Sequence, residues 1–289
     1  GKSALTANTT GQQNVAVGAF TFDANTTGSE NTAVGYEALS SNTTADYNTA
    51  IGRQALLTNT TGANNTAVGF EAMEANTTGT YNTAIGWQAL VDCTTGGSNV
   101  AVGRSAGNSL TTGGSNTFAG MDAGSDVTTG QQNLLLGRAA GTSSSPSGSI
   151  SIHDYRVCIG NNNVTNAYIK VDWTVTSDRR DKTDIEPFTH GLSWINKLNP
   201  VTYRWDNRSD YENGKPDGSK KGTQLNLGLI AQDELEVEKE HGYGDTSDNM
   251  LITDINTDGN YGIQYSKLVP ILINAVKELS AKVTALEAK

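Results

Sequence analysis

The sequence predicts a mainly β N-terminal half, built as a parallel β-solenoid, and an α+β C-terminal part that ends in a coiled-coil helix. A 17-residue repeat predicts the first part, and a heptad pattern at the end of the chain predicts the last. Composition divides the chain in the same way. Of the 32 glycines, 21 lie in residues 1–142, whereas 14 of the 20 Lys and Arg residues lie in 177–289. We therefore divide the chain into 1–142, a connector at 143–176, and 177–289.

The repeat is marked by an asparagine that recurs at every seventeenth position and by a glycine four residues after it. Eight copies follow one another without an insertion, which is typical of stacked structural rungs. The asparagines are Asn14, Asn31, Asn48, Asn65, Asn82, Asn99, Asn116 and Asn133, and the glycines are Gly18, Gly35, Gly52, Gly69, Gly86, Gly103, Gly120 and Gly137. The repeat predicts eight rungs over residues 1–142.

Each rung is expected to contain two short strands and two turns. Residues 31–35 predict a strand with Ala33 on one face and Val34 on the other. The apolar pair at 38–39 predicts the second strand, and Asn42 with the residues after it predicts a turn, because asparagine and glycine tolerate positive φ. One rung carries few apolar side chains, so we expect partner chains to cover its Ala/Leu side.

This repeat resembles the head repeats of trimeric adhesins and phage tail fibres. The resemblance implies a trimeric left-handed β-roll over about residues 5–142. In the last three copies, the place of Leu39 is taken by Gly107, Gly124 and Gly141, so we expect the packing to change there.

The position after each strand glycine carries a mixture of aromatic and basic residues, including Tyr36, Phe70 and Trp87. Aromatic rings beside arginine can stack on the sugars of a receptor, or pack between chains of an oligomer. The sequence leaves both readings open.

Beyond the repeat, alternation and helical spacing predict a series of short elements. The predicted strands are 150–152, 167–171, 201–205, 225–230, 250–253 and 261–265, and the predicted helices are 192–198 and 231–239. The acidic stretch 254–260 has calcium-loop spacing in its first half, but Tyr265 stands where the loop needs glutamate. A hairpin with a turn at Asp258–Gly259 is expected there instead, without a metal.

The C-terminal helix carries apolar residues at alternating steps of three and four, which is the heptad seam of a coiled coil. The seam residues are Val269, Leu272, Val276, Leu279, Val283 and Leu286. The pattern predicts self-association but does not choose between two and three chains.

Five ordered motifs lie in residues 177–289. They are Ser177-Asp178-Arg179-Arg180-Asp181-Lys182, Ile185-Glu186-Pro187, Leu198-Asn199-Pro200-Val201-Thr202-Tyr203-Arg204-Trp205, Gly228-Leu229-Ile230-Ala231-Gln232 and Tyr265-Ser266-Lys267-Leu268-Val269-Pro270. Together they resemble the endosialidase-type intramolecular chaperone domain. The resemblance implies a C-terminal domain of phage tail fibres and spikes that assembles three chains and then cuts itself off at its first serine.

The family's Ser-Lys pair maps to Ser177 and Lys182, which implies a cleavage site between Thr176 and Ser177. A serine hydroxyl is a weak nucleophile and needs a base. A lysine acts as a base only where burial or neighbouring cations favour its neutral form. Arg179 and Arg180 act in that direction, whereas Asp181 acts against it. The spacing alone indicates an ordinary charged turn. Self-cleavage is indicated by the resemblance to the endosialidase-type chaperone domain.

Other functional classes receive little support. The net charge is −10 without a basic stripe, which disfavours nucleic acid binding, and no apolar run is long enough for membrane insertion. Neither the cysteines nor the histidines show metal-ligand spacing, so we expect no metal and no cofactor. The sequence thus predicts a homotrimeric tail-fibre segment of a virion that binds a host-cell glycan or protein. The alternative is a bacterial or prophage surface adhesin that is never cleaved.

Overall fold

The computed structural model describes residues 1–170, 172–255 and 259–289. The chain forms two compact units, Gly1–Asn166 and Ala167–Lys289. Within the described parts of the chain, no helix combines the length and apolar character that crossing a membrane requires.

The N-terminal unit is a solenoid whose short strands stack in chain order into one parallel sheet. The strands are β1 (Val15–Val17), β2 (Thr32–Val34), β3 (Thr49–Ile51), β4 (Thr66–Val68), β5 (Thr83–Ile85), β6 (Val100–Val102), β7 (Thr117–Ala119), β8 (Leu134–Leu136) and β9 (Val157–Ile159). From β1 to β8, each residue pairs with the residue 17 positions later, as between Ala33 and Ala50. The predicted 17-residue rung is therefore confirmed.

The strand β9 was not predicted. It pairs with β8 through Leu134 and Val157, which are 23 residues apart rather than 17, because the preceding turn is longer. The strand predicted at 150–152 does not form. The described residues 167–170 also form no strand, and Val171 of that prediction lies outside the described residues.

The solenoid core lies between the strand and the opposite side of each rung. Ala33 on β2 and the pair Ala38 and Leu39 are fully buried, and their equivalents in the next rungs are buried as well. The expectation that partner chains must cover the Ala/Leu side was wrong, because small strand residues let the opposite side approach closely enough to close the core within one chain. The face left exposed is the outer one, where Val17 and Ile51 lie.

The second strand predicted in each rung was also wrong. Glu37 and Leu39 have φ values of 55° and 56°, in the left-handed region, whereas a β-strand needs negative φ throughout. The rungs are still joined there, since the Leu39 amide donates to the carbonyl oxygen of Ala55 at 3.0 Å. This side of the solenoid is therefore a stack of hydrogen-bonded turns.

The predicted change of packing in the last rungs is confirmed. Phe118 occupies the central strand position that is alanine in earlier rungs, and it is fully buried. A Cβ atom added at Gly107 or Gly124 would lie 2.4 Å from the Phe118 ring. In these rungs the large core side chain therefore comes from the strand, whereas in earlier rungs it comes from the turn.

Over its described residues, the C-terminal unit contains three α-helices and two small antiparallel sheets, which pair β10 with β11 and β12 with β13. The elements are α1 (Leu192–Ile195), β10 (Val201–Tyr203), β11 (Asn226–Gly228), α2 (Ala231–Glu240), β12 (Thr253–Ile255), β13 (Tyr261–Ile263) and α3 (Leu268–Glu287). All were predicted, although β12 begins where the predicted strand ended. The Asp258–Gly259 turn includes Asp258, which lies outside the described residues.

The core of this unit gathers Trp194 of α1, Val237 of α2, Ile252 before β12 and Ile271 of α3. The Glu278 carboxylate of α3 accepts the backbone N–H of Leu192 at 3.1 Å and so joins α3 to the start of α1. One face of α3 is thereby fixed within its own chain. The heptad seam on the other face remains exposed, at Val276 for example to 65%.

Candidate functional site

The predicted nucleophile and base lie at the two ends of one short turn. Asp178 begins the turn in extended backbone, Arg179–Asp181 form a single turn of 3-10 helix, and Lys182 ends it. The Lys182 amide donates to the carbonyl oxygen of Arg179 at 3.2 Å and closes the turn. Ser177, directly before Asp178, therefore faces Lys182 across the turn.

The structure brings the two predicted catalytic side chains into contact. The Nζ of Lys182 donates a hydrogen bond to the Oγ of Ser177 at 2.5 Å. This distance is within the reach of proton transfer between a nucleophile and its base. Thr176, Ser177 and Lys182 are all exposed, so the bond between Thr176 and Ser177 is accessible to water.

The charges around this contact are partly compensated. Arg180 was expected to favour a neutral lysine, but its guanidinium is paired with Asp178 at 2.6 Å. The side-chain and backbone hydrogen bonds from Arg180 hold the pKa of the Asp178 carboxyl below its usual range. Asp178 is therefore an ion-pair partner and not a second base.

The predicted receptor residues lie on the solenoid and are only partly brought together. The rings of Phe70 and Trp87 are stacked, with centroids 6.2 Å apart and an interplanar angle of 7°. The Arg53 guanidinium lies 5.3 Å from the Phe70 ring centroid. Tyr36 contacts Phe20 in an edge arrangement. Trp87 and Tyr36 are 45% and 43% exposed.

A buried carboxylate on α2 was missed by the sequence analysis. Glu238 is fully buried, and its carboxylate accepts the backbone N–H groups of Leu251, Ile252 and Thr253 at 3.0, 2.8 and 2.6 Å. It thereby holds the segment that leads into β12. No sequence signal marked it, since α2 reads as a charged surface helix.

Glu234, one helical turn before Glu238, is also buried. It accepts a hydrogen bond from the indole N–H of Trp194 at 2.8 Å. Burial raises the pKa of the Glu234 carboxyl, and the charge of Glu238 raises it further, whereas the Trp194 hydrogen bond opposes both. These two carboxyls belong to the core of the unit and lie away from the Ser177 turn in sequence.

The histidines and cysteines were predicted to form no metal site. His190 and His241, distant in sequence, lie 4.9 Å apart between ring centroids, beside Trp194. Within the described residues, no group of histidines, cysteines and carboxylates is placed to hold a metal ion. Cys93 is buried, and burial raises the pKa of its thiol to about 11.

Comparison with known proteins identifies one part of the chain. Residues 177–243 match the model of a protein family described as chaperone of endosialidase. The match begins at Ser177 and includes the turn, α1, β10, β11 and α2. No curated protein and no solved structure matches the chain.

The family implies an intramolecular chaperone associated with phage tail spikes. Its domain begins at the serine that contacts Lys182, and it follows a solenoid of 17-residue rungs. The chain thus carries, C-terminal to a parallel β-solenoid, a segment at residues 177–243 that matches the chaperone-of-endosialidase family.

Proposed function

We propose that the chain is a segment of a homotrimeric phage tail fibre or spike, carried on the virion and involved in host attachment. Its C-terminal unit drives trimerisation and folding and is then released by cleavage between Thr176 and Ser177. The contact between the side chains of Ser177 and Lys182 at 2.5 Å carries the cleavage part of this proposal. The family match at 177–243 supports the chaperone part.

The proposed chemistry is a single turnover within one chain. The Oγ of Ser177 attacks the carbonyl carbon of Thr176 while its proton passes to the neutral Nζ of Lys182. The bond from Thr176 carbon to Ser177 nitrogen breaks as that nitrogen takes the proton, which leaves an ester on Oγ. Water hydrolyses the ester, giving a Thr176 carboxylate and a Ser177 with a free amine and its hydroxyl restored. Direct hydrolysis assisted by the same pair has the same products.

We expect freshly synthesised chain to yield a C-terminal fragment of residues 177–289 on a denaturing gel. Ser177→Ala should abolish the fragment because it removes the nucleophile. Lys182→Arg should do the same, since arginine keeps the charge but cannot act as a base.

The matched control is Ser219→Ala, an exposed serine in another loop of the same unit, which should cleave like the wild type. A wild-type chain that stays intact at all times contradicts the cleavage proposal. That result favours the alternative, a bacterial or prophage surface adhesin that is never cleaved.

Trimerisation is supported by two exposed apolar faces. One is the heptad seam of α3, where Leu279 and Leu286 are 53% and 68% exposed. The other is the outer face of the solenoid sheet. Exposed apolar surfaces of this extent mark sites of association. A chaperone that trimerises first would set the register of slowly pairing β-structure by raising the local concentration of chains.

In sedimentation analysis, the full chain should have the mass of three copies. Leu279→Asp should lower that mass by placing a charge in the seam, whereas Ala281→Asp, on the outer position of the same helix, should not. A wild-type mass of one chain at all concentrations contradicts the trimer.

For host attachment, we propose that Tyr36, Phe70 and Trp87 contact a receptor glycan. The Phe70 and Trp87 rings are nearly parallel and stacked, and Trp87 is 45% exposed, so a sugar can pack against this aromatic pair. Trp87→Ala should abolish binding on a glycan array. Tyr168→Ala, which removes an exposed aromatic residue outside the solenoid, should leave it unchanged. Binding that survives Trp87→Ala contradicts this assignment.

A further inference from the structure

The contact between Ser177 and Lys182 depends on the conformation of the residues between them. In extended chain, Cα atoms five residues apart are separated by roughly 17 Å. The 3-10 turn at Arg179–Asp181 removes this separation and places Nζ and Oγ 2.5 Å apart. None of the turn residues is buried, so packing against a core does not hold it.

The side chain of Asp178 makes the hydrogen bonds that fix this turn. Its Oδ1 accepts the backbone N–H of Arg180 at 2.9 Å, which is the N-cap interaction of a helix. The same carboxylate accepts the Arg180 side chain, through Nε at 3.1 Å and Nη2 at 2.6 Å. Asp178 is therefore bonded to both the main chain and the side chain of Arg180, between the nucleophile and the base.

We propose that Asp178 is the positioning residue of the self-cleaving site. By capping the turn, its Oδ1 holds Lys182 against Ser177, and it takes no proton itself. This inference rests on the proposed cleavage function and adds to it the group that assembles the Ser-Lys pair. The cap matters more than the ion pair, because an exposed ion pair contributes little.

A series of Asp178 variants separates the cap from the charge, with cleavage of the full chain followed over time in cell-free synthesis. Asp178→Ala removes both and should slow cleavage about fivefold or more. Asp178→Asn keeps the capping oxygen without the charge and should cleave within about twofold of the wild type, because asparagine caps as well as aspartate. Asp178→Glu keeps the charge but not the cap geometry and should be slow.

The matched control is Arg180→Gln, which breaks the ion pair but keeps the backbone N–H that is capped. It should cleave close to the wild-type rate. Wild-type cleavage in Asp178→Ala would overturn the proposal. So would the opposite order, with Asp178→Glu fast and Asp178→Asn slow, because charge would then be the requirement.

A second measurement detects the hydrogen bond between Asp178 and the Arg180 amide independently of cleavage. In NMR spectra of the uncleaved Ser177→Ala chain with labelled arginine, the Arg180 amide should be protected from hydrogen exchange, and it should stay protected when Asp178→Asn is added. It should lose that protection when Asp178→Ala is added. An unprotected Arg180 amide in the Ser177→Ala chain refutes the positioning role even if the wild type cleaves. A protected amide there, together with a wild type that never cleaves, refutes the proposed function alone.

Discussion

Replacing Glu238 with alanine is expected to be among the most damaging single changes to the C-terminal unit. The Glu238 carboxylate accepts three backbone N–H groups, and without it Leu251, Ile252 and Thr253 lose these partners in a largely buried segment. Each buried donor left unpaired costs about 1–3 kcal/mol. The free energy of unfolding should fall by about 3 kcal/mol or more, a large share of the 5–15 kcal/mol that is typical of a domain.

Urea unfolding of the full chain measures this loss, and hydrogen exchange should locate it in residues 250–255. Glu238→Gln should be intermediate, because the amide keeps one accepting oxygen but turns an N–H towards a backbone donor. Glu236→Ala removes an exposed glutamate of the same helix that pairs with Lys239, and should change stability little. Equal stability of the Glu238→Ala and Glu236→Ala chains would show that the carboxylate does not hold this segment.

Replacing Asn65 with alanine is expected to have a comparable effect on the solenoid. The Nδ2 of Asn65 donates to the carbonyl oxygen of Gly79 at 2.8 Å, and its Oδ1 accepts the backbone N–H of Asn82 at 2.9 Å. All of these groups are buried. Alanine leaves the Asn82 N–H without a partner and leaves the Gly79 carbonyl with only the hydrogen bond from Asn76 Nδ2 at 3.2 Å, so we expect a loss of about 1–3 kcal/mol and faster exchange of the Asn82 amide.

Thermal unfolding of the full chain measures the effect, with Thr61→Ala, an exposed turn residue of the same rung, as the control. Asn65→Asp has the same shape but no side-chain N–H, and it places a carboxylate against the Gly79 carbonyl. It should therefore be destabilising above the pH at which the aspartate ionises and milder below it. An Asn65→Ala chain as stable as Thr61→Ala would mean that the hydrogen bonds of the Asn65 side chain contribute nothing to the stability of the solenoid.

The repeat period was sufficient to predict the register of the solenoid, because stacked rungs require equal lengths. It could not predict the hydrogen bonds and turns that complete each rung. Asn65 and its equivalents read as ordinary residues at the start of a strand, although they form a buried ladder of amides. The signal was available in their lack of variation over eight copies. The turn backbone at Glu37 and Leu39 was missed because nothing in these residue types indicates positive φ.

From residue 177 onward, the described helices and strands of the C-terminal unit were predictable from local patterns, whereas the strand predicted at 167–171 is absent from the described residues 167–170. The candidate site was not predictable in this way. Five residues of spacing between Ser177 and Lys182 are compatible with any charged turn, and the resemblance to a known family supplied their roles. The buried Glu238 had no sequence signal, because its partners are backbone groups that come from a loop more than ten residues later.

The solenoid contains two kinds of rung. In the earlier rungs the large core side chain comes from the turn, as at Leu39, and around Phe118 it comes from the strand. A second ladder of asparagines runs through the turns and ends at Asn76, whose Oδ1 has no hydrogen-bond partner among the described residues; Cys93 stands at the next position. Since the rungs before Phe118 repeat one strand pairing at a spacing of 17 residues, we expect that whole rungs can be deleted or duplicated there without a change of register. The rungs around Phe118 need Gly107 and Gly124 to make room for its ring, so we expect them to tolerate such changes less. The length of the solenoid can therefore vary more readily at its N-terminal side than around Phe118.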